Sequence, residues 1–247
     1  MITIKTDQEI SYMRKACATL KQINQELRAM IKPGMTGAML TQRAEEIILA
    51  NDCQSNFKGL YGFPAAICVS LNEVLVHGIP NNKPFVAGDL VSVDAGCSYQ
   101  GYHSDGAFTV IVGQPRSAEH QKLLTVTETA LTKAIAILKP GVRIGDIGAT
   151  IQTYVEGDVF FLPTEFTGHG IGLALHEEPM IPNVGTAGTG MRLQARMTIC
   201  IEPMVQIGTK DIKMLADNWT PVSSIGLCSA HFEHTILITP TGSEVLT

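Results

Sequence analysis

One predicted hairpin, residues 89–113, constrains the fold and the chemistry of this chain more than any other stretch. It reads DLVSVDAGCSYQGYHSDGAFTVIVG. Apolar residues alternate on both sides of a turn predicted at Tyr99–Gly101, which is typical of two antiparallel strands. Folding the strands about that turn predicts that Asp94 and Asp105 face each other, because their positions are symmetric about it. Like charges so placed are destabilising unless they share a proton or bind a cation.

Two further carboxylates lie in other β-rich stretches and favour the cation. A register slipped by one residue would send the two aspartates to opposite faces of the sheet, and the hairpin alone leaves both arrangements open. Glu202 lies in the apolar string TICIEPMV, where a lone buried glutamate would be costly, and Glu233 lies in AHFEHTILIT. Four carboxylates and a histidine would form an oxygen-rich site for one or two divalent metal ions.

Helical and β-rich segments alternate along the chain in a pattern that repeats once. Apolar residues at helical spacing predict helices at 7–31, 36–52, 117–138 and 145–155. The β-rich stretches are 65–79, 89–112, 197–207 and 230–239. The tripeptide Lys-Pro-Gly occurs at 32–34 and again at 139–141, each time between a long helix and a second helix. This repeat predicts two similar halves around a shared sheet, and residues 1–247 are expected to form a single domain.

Composition excludes several classes of partner. The 247 residues carry a formal net charge of −5 and no run of lysine or arginine, which argues against DNA and anionic membranes as partners. The N-terminus lacks the apolar segment of a signal peptide, and no apolar run approaches the ~18 residues of a membrane span. Six scattered cysteines without a C-x-x-C pair indicate reduced thiols. A cytoplasmic protein is therefore expected.

Several known catalytic and nucleotide-binding motifs are excluded because a required residue is missing from each. HEEPM at 176–180 lacks the second histidine of H-E-x-x-H, and GHGIGL at 168–173 lacks the third glycine of G-x-G-x-x-G. GTAGTGMR at 185–192 lacks the ending of a phosphate-binding loop, and no G-x-S-x-G elbow occurs in the sequence. Cys200 and Cys228 lie in apolar strings and are expected in the core.

Short strings in a fixed order resemble the type I methionine aminopeptidases of peptidase family M24, in their minimal bacterial form. They are VHGIP (76–80), VDAG and SDG within 93–106, TGHGIG (167–172), LHEEP (175–179), IEPM (201–204) and FEHT (232–235). The match opens with IKTDQEISYMRKA at 4–16 and runs nearly from end to end. The resemblance implies an α+β pita-bread fold, also called the creatinase/aminopeptidase fold, with pseudo-two-fold halves around a curved antiparallel sheet. That agrees with the Lys-Pro-Gly repeat.

The same resemblance implies the residues of the site. Two divalent ions would be bound by five ligands: Asp94, Asp105, His169, Glu202 and Glu233. Asp105 and Glu233 would bridge the two ions. Glu202 would also move a proton, while His77 and His176 would contact the scissile bond without binding metal. Such donors accept Mn²⁺, Fe²⁺, Co²⁺ or Zn²⁺. The four other histidines are expected in satisfied core or surface positions: His103, His120, His231 and His234.

An apolar pocket for an unbranched thioether side chain is implied as well, lined by Phe57, Phe63, Cys68, Leu175 and Trp219. Leu175 replaces a usual aromatic residue and Phe57 a frequent cysteine, so the shape of the pocket is expected to differ from that of many relatives. A monovalent cation is implied near Asn72, Val74 and Ser229.

The predicted function is removal of the initiator methionine from nascent chains with a small second residue, by a monomer acting at the ribosome. Two alternatives remain open at this point. One is an X-Pro aminopeptidase or prolidase of the same fold, although those enzymes usually carry a large N-terminal domain. The other is a non-enzymatic binding protein, although such proteins typically lose metal ligands and all five are present here. Met-Ala-Ser and Ala-Pro-Pro peptides would distinguish the two peptidases.

Overall fold

The computed structural model describes residues 2–247, which form four α-helices and thirteen strands. The helices are α1 Asp7–Met30, α2 Gly37–Ala50, α3 Ala118–Ala136 and α4 Ile144–Gly157. The strands are β1 Gln54–Ser55, β2 Ile67–Leu71, β3 Leu90–Tyr99, β4 Tyr102–Ile111, β5 Gly168–Gly170, β6 Glu177–Ile181, β7 Thr198–Ile201, β8 Met204–Gln206, β9 Ile212–Met214, β10 Pro221–Ser223, β11 Ser229–His231, β12 His234–Ile238 and β13 Ser243–Val245. A single 3-10 turn lies at Leu60–Gly62.

The predicted repeat is visible in the helices. Each Lys-Pro-Gly tripeptide separates a long helix from a helix of 14 residues, and α2 and α4 begin 107 positions apart, at Gly37 and Ile144. α1 begins after Thr6, whose hydroxyl accepts a hydrogen bond from the Glu9 N–H while the Glu9 carboxylate accepts one from the Thr6 N–H. The four predicted helices are thus confirmed, and no predicted end differs from the observed one by more than two residues.

Two larger antiparallel sheets carry most of the rest of the fold, and two two-stranded pairs, β8 with β11 and β9 with β10, complete it. In the first, β3 pairs with β4 on one side and with β1 and β2 on the other. In the second the order is β13-β12-β7-β5-β6. The sheets meet where Ala107 of β4 and Glu233, between β11 and β12, exchange backbone hydrogen bonds in both directions. The mixed helices and antiparallel sheet confirm the predicted α+β class.

α1 packs its apolar stripe onto β3 and β4. The stripe is buried as its helical spacing predicts: Ile10, Met13, Ala16, Cys17, Leu20, Ile23 and Leu27. One large apolar cluster runs from Ala16 in α1 to Ile238 in β12 and includes side chains of all four helices. Rigid backing of this kind allows the sheet to hold polar groups in fixed positions on its other face.

The hairpin forms as predicted, but its register needs a correction. Asp94 pairs with Ala107 and Asp105 pairs with Gly96, so the two aspartates are diagonal neighbours and not directly opposite. The reason is the turn: Gln100 and Gly101 both have positive φ, +52° and +78°, which is typical of a two-residue type I′ loop centred one position later than assumed. Diagonal neighbours share a face, so both carboxylates still point to the same side of the sheet.

Other β-rich predictions hold only in part. Of residues 65–79, only Ile67–Leu71 is a strand, and the rest is loop. The short strands β5 and β6 were not predicted, because their sequences are rich in glycine and carry a proline. Among residues 2–247, no helix is long and apolar enough to cross a membrane.

Candidate active site

The two strands that carry Glu202 and Glu233 are each interrupted at the glutamate. β7 ends at Ile201 and β8 resumes at Met204, while β11 ends at His231 and β12 resumes at His234. His234 pairs with Ile201, and His231 pairs with Met204. The register is the same on both sides of the break, which places Glu202 opposite Glu233.

Pro203 explains why the pairing breaks there. A proline has no N–H to donate to a sheet. The backbone groups beside it find other partners, since Asn183 Nδ2 donates to the Glu202 carbonyl oxygen at 3.0 Å. The Phe232 N–H donates to the Pro203 carbonyl oxygen at 3.4 Å. Both glutamates therefore lie at a supported bend in the sheet, next to the strand that carries Asp105.

His169 completes the cluster from β5. It pairs with Cys200 of β7, and its Nε2 lies 3.5 Å from Glu202 Oε1 and 3.7 Å from Asp105 Oδ2. Its Nδ1 lies 2.8 Å from the Gly170 carbonyl oxygen, which can only accept a hydrogen bond. Nδ1 therefore carries the proton of the neutral ring, and the Nε2 lone pair points at the carboxylates.

The glycines of TGHGIG serve this close packing. A Cβ on Gly168 would lie 2.3 Å from the Cys200 carbonyl oxygen, and one on Gly170 would lie 2.3 Å from the Glu178 carbonyl oxygen. Strand β5 is sandwiched between β6 and β7 so tightly that only glycine fits on either side of His169.

The four carboxylates are buried and repel one another. Burial raises the pKa of Asp94 to about 6. It also raises the pKa of Asp105 well above its usual range, with Glu233 and Asp94 adding like charge. The pKa values of Glu202 and Glu233 are raised for the same two reasons. Asp94 Oδ1 and Glu233 Oε1 are buried and have no hydrogen-bond partner within residues 2–247.

Unpaired buried oxygens and raised carboxyl pKa values are what a cation would relieve. Ligand atoms of Asp105, His169, Cys200 and Glu233 all lie within 4.8 Å of one another, and so do those of Glu202, His231 and Glu233. The donors are three carboxylates, two imidazoles and one thiol, a set that suits divalent transition metals. Four residues of the predicted set, Asp105, His169, Glu202 and Glu233, belong to these two groups, whereas Asp94 belongs to neither and the unpredicted Cys200 and His231 do.

Both histidines expected to contact substrate lie at the rim of this cluster. The centre of the His176 ring lies 4.6 Å from the centre of the His169 ring, and the centre of the His77 ring lies 5.5 Å from that of Phe166. Burial, followed by the charges of His231 and His176, lowers the pKa of His77 to about 4. Partial burial also lowers the pKa of His176. His77 has φ +57°, a conformation that is uncommon for a residue other than glycine and is often found at functional sites.

A cavity of about 180 Å³ opens directly onto the carboxylates, and every residue expected at the pocket lines it. Cys68 lies opposite Asp94 in the β2–β3 pair, so the apolar wall and the acidic cluster share one face of the sheet. Phe63 and Trp219 meet edge to face with their ring centres 5.2 Å apart. Three further lining residues were not predicted from the sequence: Leu60, Tyr61 and Val76.

Glu177, beside His176, is committed to an ion pair across the chain. Lys5 Nζ lies 2.8 Å from Glu177 Oε2, and the two side chains are only 3% and 11% exposed. Thr3 donates a hydrogen bond to the same oxygen at 2.6 Å, and the Ala174 N–H donates to Oε1 at 3.2 Å. Burial alone would raise the pKa of Glu177, but the hydrogen bonds from Lys5 and Thr3 outweigh it and lower the pKa. The N-terminal segment thus holds the 172–177 loop.

Replacing Lys5 with Met is expected to destabilise the protein by about 3 kcal/mol, because it leaves Glu177 charged and buried without its partner. The midpoint of urea unfolding measures the change. A second substitution, Glu177→Leu in the same chain, should recover most of the loss, because it removes the stranded charge. Equal stability of the original protein and the Lys5→Met variant would contradict an energetically important pair.

Sequence reasoning also missed His231, which it assigned to the core or surface. The side chain is only 1% exposed, and its Nε2 lies 3.5 Å from Glu202 Oε2. The one local signal is alternation, since His231 lies two residues before Glu233, whereas its contact with Glu202 depends on the pairing of β8 with β11.

Comparison with known proteins agrees with this geometry. The model of metallopeptidase family M24 matches residues 11–240. A methionine aminopeptidase from Mycoplasma capricolum subsp. capricolum is 52% identical over 247 residues, which cover 100% of this chain and 98% of that protein. A crystal structure of methionine aminopeptidase from Thermotoga maritima has a TM-score of 0.98 at 45% identity, covering 100% of this chain and 99% of that one. A prolidase from Pyrococcus horikoshii OT3 shares the fold at TM-score 0.79 and 24% identity, covering 99% of this chain and 63% of that one.

Antiparallel sheets packed against helices, together with this acidic cluster, define a metal-dependent peptidase of the pita-bread fold. The chain belongs to metallopeptidase family M24 and, within it, to the group of the methionine aminopeptidases. The resemblance seen in the sequence and the predicted fold are both confirmed. Family membership and the cluster of ligand atoms together support the use of divalent metal ions.

Proposed function

We propose that this protein is a metallo-aminopeptidase that removes the N-terminal methionine from polypeptides. The observation that carries the proposal is the apolar cavity opening onto the acidic cluster, because a buried thioether chain there would bring the first peptide bond to the carboxylates. Its relatives from Mycoplasma capricolum and Thermotoga maritima are methionine aminopeptidases. The X-Pro alternative is not favoured, since the prolidase likeness is one of fold alone.

Five side chains would hold two divalent ions, with Asp105 and Glu233 shared between them: Asp94, Asp105, His169, Glu202 and Glu233. The support is their mutual burial, the unpaired oxygens of Asp94 and Glu233, and the His169 lone pair directed at the carboxylates. When bound, the ions would lower the pKa of water and polarise the scissile carbonyl group.

The chain's own residues would move the protons. Glu202, at the bend facing the cleft, would accept a proton from the attacking water and deliver it to the departing amine. His176 would donate a hydrogen bond to the carbonyl oxygen as negative charge develops there. His77 would contact the nitrogen of the scissile bond. The lowered pKa values of both histidines keep them neutral at neutral pH, so each retains one N–H to donate.

Selection of methionine would come from the cavity. Phe57, Phe63, Cys68, Leu175 and Trp219 would enclose an unbranched apolar side chain, and the absence of charge in this wall would disfavour polar first residues.

A monovalent cation would bind near Asn72, Val74 and Ser229. Ser229 Oγ donates to the Val74 carbonyl oxygen at 2.7 Å, and the Ser229 N–H donates to the Asn72 carbonyl oxygen at 2.8 Å. These three residues bring oxygens together where the loop after β2 meets β11, and such oxygens suit a hard cation.

The cellular setting follows from the substrate. Residues 1–247 would act as one catalytic domain and as a monomer in the cytoplasm. Nascent polypeptides would be met at the ribosome, where their N-termini first become accessible. The continuous core from Ala16 to Ile238 supports a single folded unit.

Turnover of short peptides tests the function. Met-Ala-Ser should be cleaved after methionine, whereas Ala-Pro-Pro should be cleaved at least about 10²-fold more slowly, because its first side chain fills little of the cavity and its second residue lacks an N–H. Release of the first amino acid is followed by mass spectrometry. Preference for Ala-Pro-Pro would indicate an X-Pro peptidase, and inactivity on both after metal loading would favour a binding protein.

A further inference from the structure

His231 lies on the face of the sheet that carries the acidic cluster. It is the last residue of β11 and pairs with Met204 of β8. Side chains two residues apart on a strand point to the same face. Glu233 is two residues from His231, and Glu202 is two residues from Met204, so both glutamates are expected on the face of His231. In that register His231 is the diagonal neighbour of Glu202.

The imidazole of His231 is left with an unpaired nitrogen. Nε2 is buried and has no hydrogen-bond partner within residues 2–247. The carboxylate of Glu202 lies between two imidazoles, with Oε1 3.5 Å from His169 Nε2 and Oε2 3.5 Å from His231 Nε2. An ordinary N–H···O hydrogen bond is about 2.7–3.2 Å long, so a shift of a few tenths of an ångström would form one.

The backbone of His231 is fixed from the neighbouring strand. Its N–H donates to Thr109 Oγ1 at 2.9 Å, and Thr109 Oγ1 lies 2.8 Å from its carbonyl oxygen. Ser92 Oγ contacts the same hydroxyl at 2.8 Å. Thr109 is on β4, the strand that carries Asp105, so the imidazole and the acidic cluster are held by one framework.

Glu202 needs such a partner. The terminal torsion of a glutamate has no sharp preferred angle, so packing of the side chain does not by itself fix the plane of the carboxylate. We propose that His231 is a positioning residue whose Nε2–H donates to Glu202 Oε2 and thereby holds Oε1 toward His169 and the cleft. A buried donor left without an acceptor is destabilising, and this bond avoids that cost. The inference rests on the proposed function, in which Glu202 both binds metal and moves a proton.

The competing arrangement is direct ligation. Ligand atoms of Glu202, His231 and Glu233 lie within 4.8 Å of one another, so a metal ion could also take the His231 nitrogen. The two arrangements predict different results when glutamine replaces His231. A glutamine side chain supplies an N–H donor at a reach similar to that of Nε2, but its amide is a poor substitute for an imidazole as a ligand of a transition metal.

The test compares His231→Leu and His231→Gln, with His234→Gln as the control. His234 lies three residues away, and its Nδ1 contacts Thr247 Oγ1 at 2.9 Å. With Met-Ala-Ser as substrate, His231→Leu should lower kcat by about 10–100-fold with little change in KM, whereas His231→Gln and the control should stay within about threefold of the original protein. Urea unfolding must show that each variant is folded under the assay conditions.

Binding of Co²⁺ alone gives a readout that does not depend on turnover. Titration calorimetry should find the same number of bound ions in all variants. The visible absorption bands of Co²⁺ should shift in His231→Leu and remain in place in His231→Gln, because only the former frees the Glu202 carboxylate.

Three results would overturn the proposal. A lost equivalent of Co²⁺, or shifted bands, in both variants would make His231 a ligand. Unchanged kcat and unchanged bands in His231→Leu would mean that it positions nothing. Failure of His231→Gln to restore kcat would exclude a role as donor. If the original protein does not cleave Met-Ala-Ser, the proposed function fails, while the Co²⁺ bands still report whether His231 orients Glu202.

Discussion

Replacing Glu233 with Gln is expected to lower kcat/KM for Met-Ala-Ser by about 10³-fold or more, because it removes a ligand shared by both proposed ions. The same substitution should stabilise the metal-free protein. Glu233 is buried, and its pKa is raised by burial and by the charges of Glu202 and Asp94. Removing its charge relieves that repulsion wherever the glutamate is ionised, and each unit by which the pKa is raised adds to the gain. The metal-free variant is therefore expected to be more stable than the original protein at pH 8, with a smaller difference at lower pH, where the glutamate takes up a proton.

Opposite signs in the two measurements separate a metal ligand from a structural carboxylate. Activity is measured after loading with Mn²⁺ or Co²⁺, and stability is measured by urea unfolding in the presence of a chelator. Glu178→Gln is the matched control, since Glu178 is an exposed glutamate of the LHEEP string and is not expected to bind metal. It should change neither quantity appreciably. A Glu233→Gln variant that kept full activity would refute the metal assignment.

Local pattern was sufficient for the elements that depend on local forces. The helices followed from apolar spacing and from the two Lys-Pro-Gly tripeptides, and the β3–β4 hairpin from alternation about a short turn. The error in that hairpin was one of register, and it arose because the type I′ turn lies at Gln100–Gly101. The prediction that both aspartates lie on one face was still correct. Asp94 pairs with Ala107, which is two residues beyond Asp105, and residues two apart on a strand point to the same face.

The parts that were missed depend on pairings between distant segments. His231 meets Glu202 through the pairing of β8 with β11, and Lys5 meets Glu177 across 172 positions of sequence. Strand β5 has three residues and is two-thirds glycine, so its sequence alone favours a loop. It is a strand because β6 and β7 bracket it. The carbonyl contacts that demand those glycines exist only in the folded sheet.

The pH dependence of stability is expected to change sign when metal is removed. In the metal-free protein the pKa of Asp94 is raised to about 6, and those of Asp105, Glu202 and Glu233 are raised well above their usual range. A carboxyl whose folded pKa is raised contributes stability below its unfolded pKa, near 4, and loses it as the pH rises through the folded value. As the pH falls from 8 toward the folded pKa of Asp94, near 6, these carboxyls should therefore make the metal-free protein more stable.

Histidines oppose this trend at lower pH. Burial, with a smaller effect of His176, lowers the pKa of His169 to about 4, and that of His77 is lowered to about 4 as well. Their contribution is fully present above the unfolded pKa, about 6.5, and is lost as the pH falls toward 4. The two groups together predict a maximum of stability near about pH 6 for the metal-free protein.

Bound metal should reverse the slope above that maximum. Divalent ions favour the ionised carboxylates, so protons compete with metal, and stability should fall continuously as the pH is lowered from about 8 to 5. Urea midpoints of chelator-treated and Mn²⁺-loaded protein at four pH values in that range measure both slopes. Glu233→Gln supplies an internal control, because the metal-free variant has one carboxyl fewer to titrate and should show a shallower rise. Metal-free protein that became more stable from pH 6 to pH 8 would show that the four carboxylates do not repel one another in the fold, and the central physical argument for a cation at this site would fail.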